Sequence, residues 1–396
     1  MMNLLDNVIL KLLFLALYII YSTDNIYVRL FLLSILLFCV GFRIITLNVN
    51  ILNTMFKKMY MPLSIYIFIT IFLIPIVNYN SYLSYNYVLL LFLINGAIII
   101  YLISLLVVTN YSKNIIDQLF SGLLIYVFIN VLLFLVGIEK NVDFTYSRRS
   151  YWFFESRIFF ALAPGVNSFG IICGFLASYY LGKIPKNKIK NLIKISVPIF
   201  GAIATENRGS IILFLIFALL TIIKAHSIFA NRISLIGIIM MPFIYLKYVW
   251  GSIGISLLSS RENIWSAIID NYEILKSHLF WGFGMNGHIS SGLSKTYSIY
   301  FSNINRENTL LLHSHNLFLQ ILIDHGVIAF GCIVIVLLKM FKNSILDKSI
   351  LFILYYITII GAIDLTITLN NFYLFFPTLC IMVIYTRKQE ANFVQV

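Results

Sequence analysis

HSHNLFLQILIDHGVIAFGCIVIVLL, from His313 to Leu338, is the stretch on which the reading of the chain turns. From Leu317 onward it carries a single formal charge, Asp324, and it exceeds the roughly 20 apolar residues that a helix needs to cross the hydrocarbon core of a bilayer. Asn316, Gln320 and Asp324 recur every four residues, which puts them on one helical face. Polar side chains inside a span turn toward protein, so this stripe is expected to line an internal cavity. His315 and Asn316 stand just before the apolar run, at the boundary between membrane and water. Upstream lies the one long polar loop, 251–315, which holds Arg261-Glu262-Asn263-Ile264-Trp265 and Trp281-Gly282-Phe283-Gly284.

The rest of the chain repeats the apolar pattern. It is 61% hydrophobic and 11% charged, with a mean hydropathy of +0.95, outside the range of a soluble domain. The hydropathy predicts about a dozen spans: Val8–Tyr21, Ile26–Ile45, Met61–Val77, Tyr87–Val108, Leu119–Ile138, Ile158–Leu181, Leu192–Thr205, Gly209–Ile223, Ile233–Trp250, Leu317–Leu338, Ser349–Asp364 and Phe372–Tyr385. The expected architecture is all-α, a polytopic helical bundle of about 12 transmembrane helices that forms one domain over residues 1–396. Cys39, Cys173, Cys332 and Cys380 all fall in apolar runs, and no disulfide framework or zinc spacing is present. The first apolar run lacks a small-residue cleavage site and is read as a retained helix.

Basic residues orient the bundle. Lys57, Lys58, Lys183, Lys186, Lys188, Lys190, Lys194, Lys339, Lys342, Lys348, Arg387 and Lys388 fall on one side in short loops, which makes that side cytoplasmic, with both termini inside. The 251–315 loop then lies outside the cytoplasm. The formal net charge of +13 follows from this asymmetry and from attraction to membrane lipids, and it implies no nucleic-acid partner. The kind of cation also differs: 3 of 17 basic residues assigned inside are arginine, against 7 of 11 outside. Arginine's planar fork binds phosphate bidentately, so the outer face is read as a phosphate- or pyrophosphate-binding surface.

Three outer segments carry the polar chemistry. The first, Glu139–Arg157, contains Arg148, Arg149 and Arg157 and leads into Pro164-Gly165-Val166-Asn167, where a helix start can leave backbone groups free. The second, Thr205-Glu206-Asn207-Arg208-Gly209-Ser210, is a tight turn with Arg208 at the hydrocarbon edge, poised for an anion or for Glu206. In the third, Ser259 and Glu262 have capping-box spacing, and Ile264, Trp265, Ile268, Ile269, Tyr272 and Leu275 fall at helical spacing. This helix is expected to lie on the membrane surface or over the bundle. His313 and His315 lack an accompanying acidic cluster, so no metal or cofactor is expected.

The order Thr205-Glu206-Asn207-Arg208-Gly209, Arg261…Trp265…Gly282-x-Gly284 and His315-Asn316…Gly326, with Pro164-Gly165-Val166-Asn167 before it, resembles the O-antigen ligase and polymerase superfamily over about Arg157 to Gly331. The spacing from His315-Asn316 to Gly326 fits the ligase pattern, while Ala329 departs from its Gly, Thr or Tyr. The resemblance implies a GT-C-like membrane glycosyltransferase at the outer face of the bacterial inner membrane. It implies metal-independent, inverting transfer from a glycan on undecaprenyl pyrophosphate. The acceptor would be a second lipid-linked repeat unit in an O-antigen or capsule polymerase, the leading reading, or lipid A core in a ligase. A chain-length regulator protein is an implied partner. By the same resemblance Arg208 and Arg261 would hold the donor pyrophosphate and His315 would position or deprotonate the acceptor hydroxyl, all three catalytic, while Arg148, Arg157, Asn167, Trp265 and Asn316 are expected to contact substrate. The competing class is a transporter of the same lipid-linked sugar. It is disfavoured because the polar groups cluster on one face and no internal repeat is evident.

The topology is tested by cysteine labelling at Lys188 and Lys295. The two positions are expected to react from opposite sides of the membrane, and labelling from one side would overturn the assignment.

Overall fold

A computed structural model describes residues 4–22, 26–47, 59–72, 85–108, 112–138, 160–184, 188–223, 236–240, 244, 261–284, 286–298, 313–344, 347–364, 366 and 371–386. In chain order the helices are α1 (Leu4–Ser22), α2 (Ile26–Thr46), α3 (Met61–Phe72), α4 (Tyr85–Val108), α5 (Ser112–Leu135), α6 (Val166–Gly182), α7 (Lys188–Ala204) and α8 (Arg208–Ile222). They continue with α9 (Arg261–Asp270), α10 (Tyr272–Lys276), α11 (Gly287–Ser290), α12 (Leu293–Ser298), α13 (Leu317–Ser344), α14 (Lys348–Gly361) and α15 (Phe372–Thr386). Among the described residues the protein is all-helical. Among the described residues three segments, Tyr27–Thr46, Asn114–Leu135 and Leu317–Ser344, are long and apolar enough to cross a membrane, and six further apolar helices are shorter. This is a helical membrane protein in kind, but these helices neither add up to the expected twelve spans nor single out a GT-C-like bundle. Part of the shortfall is local chemistry: the span expected from Ile158 begins as a helix only at Val166, after Pro164 and Gly165. The expected span Ile233–Trp250 lies mostly outside the described residues.

The bundle packs around α6, whose small residues Gly170, Gly174, Ser178 and Gly182 recur every four positions. A bare face of this kind lets neighbouring backbones approach closely. A Cβ on Gly174 would stand 2.4 Å from the Tyr356 hydroxyl of α14 and 2.6 Å from Ser210 Cβ of α8. The Tyr356 hydroxyl donates to the Ile171 carbonyl at 2.8 Å and meets Ser210 Oγ at 2.6 Å, so α6, α8 and α14 share one bonded seam.

Side-chain pairs sort the helix ends onto two opposite faces. On one face, Arg43 at the end of α2 grips Asp6 of α1 through two bonds of 2.8 Å, and Tyr101 of α4 donates to the same carboxylate. Lys183 and Tyr179, at the end of α6, both bond Asp117 of α5. The Lys339 ammonium lies 3.8 Å over the Tyr60 ring, and Tyr385 of α15 donates to Asp347 before α14. The opposite face gathers the starts of α6, α8 and α13 and the end of α14. There Asn207 Nδ2 donates to the Asn167 carbonyl and Asn316 Nδ2 to the Ala362 carbonyl.

Helix α13 is broken. From Asn316 to Ser344 a straight helix would run about 42 Å, yet Asn316 touches Ala362 and the Ser344 carbonyl accepts from Asp347 N–H. The antiparallel α14 between those points covers only about 22 Å, so the two halves of α13 cannot share an axis. The break is at Gly326, with φ 74° and ψ −177°. It frees backbone groups, and the loop before α11 takes them up. Phe283 N–H donates to the Ile323 carbonyl, Gly284 N–H to the Asp324 carbonyl, and Val327 N–H to the Leu279 carbonyl, each at 2.8 Å. Backbone on backbone leaves no room for a side chain. A Cβ on Gly326 would lie 2.3 Å from the Phe280 oxygen, and one on Gly282 2.4 Å from the Asp324 carbonyl carbon.

Gly326→Ala is expected to cost at least about 2 kcal/mol through its positive φ and this clash. Gly331→Ala, in the same helix with open space around its Cβ position, is expected to be neutral or to stabilise by about 0.5–1 kcal/mol. Thermal unfolding of the purified protein in detergent distinguishes the two.

Candidate active site

The site grows from the ends of helices. Helix α7 closes with two bonds, Asn207 N–H to the Ala202 carbonyl and Glu206 N–H to the Ile203 carbonyl. These are the paired bonds of a Schellman cap, with Glu206 at φ 50° where glycine is usual. Asn207 then caps α8, its Oδ1 accepting from Ser210 N–H at 3.0 Å. One residue thus finishes one helix and starts the next, which leaves Arg208 exposed at the first position of α8. Gly209 beside it fits against Ile360 and Ile363, placing the start of α8 next to the end of α14. Asn167 is exposed in the first turn of α6 and bonded through its carbonyl to Asn207.

The histidine motif is pinned at Ser314 and Asn316, on either side of His315. Trp265 Nε1 donates to the Ser314 carbonyl at 2.8 Å, and Ser314 N–H donates to Gln320 Oε1 at 3.2 Å. Asn316 Oδ1 caps α13 by accepting from Leu319 N–H at 2.9 Å, while its Nδ2 holds Ala362. Between these anchors His315 adopts the left-handed region, φ 49°, which turns its ring out of the packed loop with 27% of the side chain exposed. Positive φ at a non-glycine residue is a strain that surrounding contacts must hold.

Asp364, just past α14, joins the pieces. One carboxylate oxygen lies 3.6 Å from His315 Nδ1, and the other accepts from Arg261 Nη2 at 3.2 Å. The Arg261 guanidinium also donates to the Ile363 carbonyl at the end of α14. One carboxylate therefore sits between an arginine and a histidine from distant parts of the chain. The carboxylate faces His315 Nδ1 without a hydrogen bond at this separation.

Of the sequence-assigned residues, Arg208, Arg261, His315 and Asn167 share this face. Arg148 and Arg157 lie outside the described residues. Trp265 and Asn316 are fully buried, and their polar atoms are bonded to protein, so they hold the motif in place and are not substrate contacts. The expected cavity lining of Gln320 and Asp324 is likewise corrected. Gln320 Nε2 donates to Asp324 Oδ1 at 2.7 Å and meets His288 Nδ1 at 3.1 Å, and Asp324 Oδ1 also accepts from Gly287 N–H. The stripe fastens the loop to the helix. The amphipathic helix is α9 with α10, and it lies over the protein: Ile264, Trp265, Ile268 and Leu275 pack with Leu293, Tyr297, Leu319 and Ile323. Ser259 of the expected capping box is outside the described residues.

Asp364 and His288 were not singled out by the sequence. For Asp364 a signal existed: it is the single charge ending the run from Ser349. Among the described residues no three His, Cys, Asp or Glu side chains are grouped to hold a metal ion. The His313 ring lies 4.8 Å from that of His288. Burial, reinforced by His315 and opposed by Asp364, pushes the His313 imidazole down to about 4.

That depression has a stability consequence. The unfolded chain takes up a proton at His313 near pH 6.5 and the folded protein resists it. The stabilisation is therefore complete above pH 6.5 and is lost as pH falls toward 4, at no more than about 1.4 kcal/mol per unit. Melting temperature should drop over that window, and His313→Gln should flatten the drop.

No protein-family model matches the chain, and no curated protein matches it in sequence.

Proposed function

We propose that the protein is a membrane glycosyltransferase which polymerises lipid-linked oligosaccharide repeat units into an O-antigen or capsular polysaccharide. In this reading the chain is a polytopic, GT-C-like bundle of about twelve spans in the bacterial inner membrane. Its site faces the periplasmic or extracellular side, and its termini are cytoplasmic. The donor is a glycan on undecaprenyl pyrophosphate and the acceptor is a sugar hydroxyl of a second repeat unit. The observation that carries the proposal is the Asp364 carboxylate set between Arg261 and the outward-turned His315.

The chemistry follows from that arrangement. A sugar hydroxyl is a weak nucleophile and needs a base, and a histidine with its Nδ1 facing a carboxylate presents Nε2 for the proton. The 3.6 Å separation is long for a hydrogen bond, as catalytic contacts often are before substrate binds. As the proton passes to His315, the hydroxyl oxygen attacks the anomeric carbon from the face opposite the leaving group. The bond to pyrophosphate breaks and its electron pair departs on the lipid carrier, inverting the centre. Negative charge grows on the leaving phosphate, where fixed guanidiniums of Arg208 and Arg261 stabilise it most in the transition state. Arg261 spends part of its donor set on Ile363 and Asp364, and its remaining N–H groups are the ones offered to phosphate.

A transporter would use a broken helix as an ion or substrate site, and α13 is broken. Its freed carbonyls at Ile323 and Asp324 are bonded by the chain's own loop, which argues for a structural break and favours the enzyme reading.

With purified protein and a lipid-linked repeat unit, His315→Ala is expected to lower turnover about 10²–10⁴-fold while donor binding changes little. Asp364→Asn should lower turnover in the same direction by favouring the wrong tautomer. Arg208→Lys and Arg261→Lys should recover little activity, since a lysine lacks the bidentate fork. Near-normal turnover of His315→Ala at wild-type melting temperature would remove the base from the proposal.

A further inference from the structure

The turn before the loop enters the broken helix carries two large apolar side chains that the fold leaves uncovered. Phe280 is 63% and Trp281 53% exposed. This is not loose packing, because Ile264, Trp265 and Ile268 of α9 and Leu293 and Tyr297 of α12, on either side, are buried in one cluster. Nor is the turn adaptable. Gly282 N–H bonds the His278 carbonyl at 2.7 Å, the Leu279 carbonyl takes Val327 N–H, and Phe283 N–H is bonded to Ile323. The backbone of Phe280 and Trp281 presses on Gly326 so closely that no Cβ fits between. Two aromatic rings are thus held outward on a fixed ledge.

Their position says what they face. The ledge docks where the second half of α13 begins, and from Val327 to Leu338 that half is apolar throughout. Val327 and Ile335, eight residues apart and so on one helical face, are both exposed. They form the outward side of the second half of α13, within the apolar segment Leu317–Ser344. The Phe280 and Trp281 backbone packs against Gly326, where that half begins. Aromatic residues, tryptophan above all, concentrate where hydrocarbon gives way to headgroups, because the ring is apolar and the indole N–H still finds a partner.

We propose that the Phe280–Trp281 ledge is a bilayer-docking surface, seated in the interfacial zone of the lipid at the head of the lipid-facing side of α13. The partner is the membrane itself. Ledge and helix break form one rigid unit, so docking costs little ordering entropy. It holds α9 and the histidine motif, packed on the same loop cluster, at the depth of lipid headgroups. The proposal stands independently of the reaction assigned to the site.

Tryptophan fluorescence tests it in the full-length protein reconstituted into phosphatidylcholine–phosphatidylglycerol vesicles. Trp152 and Trp250 are replaced by phenylalanine, leaving Trp281 and the fully buried Trp265 as internal control. The Trp281 component is the difference from the same protein carrying Trp281→Phe. Lipids brominated high on the acyl chain are expected to quench that component strongly, lipids brominated near the chain end weakly, and aqueous iodide hardly at all. Quenching by iodide without a bromine effect would place the ledge in water and overturn the proposal. Protection from both quenchers would mean that protein, such as a second copy of the chain, covers it, and would overturn it equally. A spin label on Trp281→Cys, with the other tryptophans intact, gives an independent reading. Greater access to oxygen than to a water-soluble nickel complex supports docking, and the reverse opposes it.

Discussion

Everything on the polar face depends on one piece of backbone chemistry, the filling of the break at Gly326. A membrane helix cannot leave carbonyl and amide groups unbonded, since nothing in hydrocarbon replaces a lost partner. Here the loop from Leu279 to Gly284 supplies the missing donors and acceptor. The consequence reaches beyond the break. Because both strands of contact are backbone, the loop is held in one register with the helix. Because the first half of α13 leaves the axis of the second, its Asn316 end is brought to the end of α14. The histidine motif, the Asp364 carboxylate and the loop that carries Arg261 are therefore placed by a single junction. The Gln320–Asp324–Gly287 bonds reinforce it from the side-chain level.

A second constraint is the way charge is distributed over the helix ends. Helix termini carry partial charge, positive at the N-terminus and negative at the C-terminus, so anions suit the first turn and cations the last. This protein breaks that rule three times on one face. Arg208 starts α8, Arg261 starts α9, and Asp364 follows the end of α14. Each placement costs on the order of 0.3–1 kcal/mol in isolation. For two of them the structure offers compensation, because Arg261 turns from its own helix to the Ile363 carbonyl just past α14 and to Asp364. Local rules broken together at one place are characteristic of sites kept for function.

Much of this was legible in the sequence, for reasons that can be named. Helices α7, α8, α14 and α15 begin and end within a few residues of the expected spans, because hydropathy reports directly on what a helix can bury. The tight turn at Glu206–Asn207 also stood out, since caps have residue preferences, whereas the break at Gly326 did not, the expected span Leu317–Leu338 running straight through it. The assignment of Trp265 and Asn316 to substrate was wrong in kind. Sequence shows that a polar atom is present near a site, but only the fold shows that a carbonyl 2.8 Å away has already claimed it. The Gln320–Asp324 stripe misled in the same way. Its spacing correctly put the residues on an inward face, and that face meets a loop where a cavity was expected. Asp364 was hidden because its partners, His315 and Arg261, are 49 and 103 positions away, and no local pattern records so distant a pairing.

The two errors and the omission have a common root that bears on how the site operates. Trp265, Asn316, Gln320 and Asp324 spend their hydrogen-bonding capacity on holding the loop, and what they leave projecting is His315, in a backbone conformation that its own side chain disfavours. A strained residue persists only where its neighbours over-determine it, and the bonds to Ser314 and Asn316 on either side do so. Strain and support together fix the direction of one imidazole toward Asp364. A histidine on a loose loop would sample many orientations and lose effective concentration at any reacting hydroxyl. Under the proposed glycosyl transfer, the buried polar residues around the motif would act without touching substrate, by removing the freedom of His315.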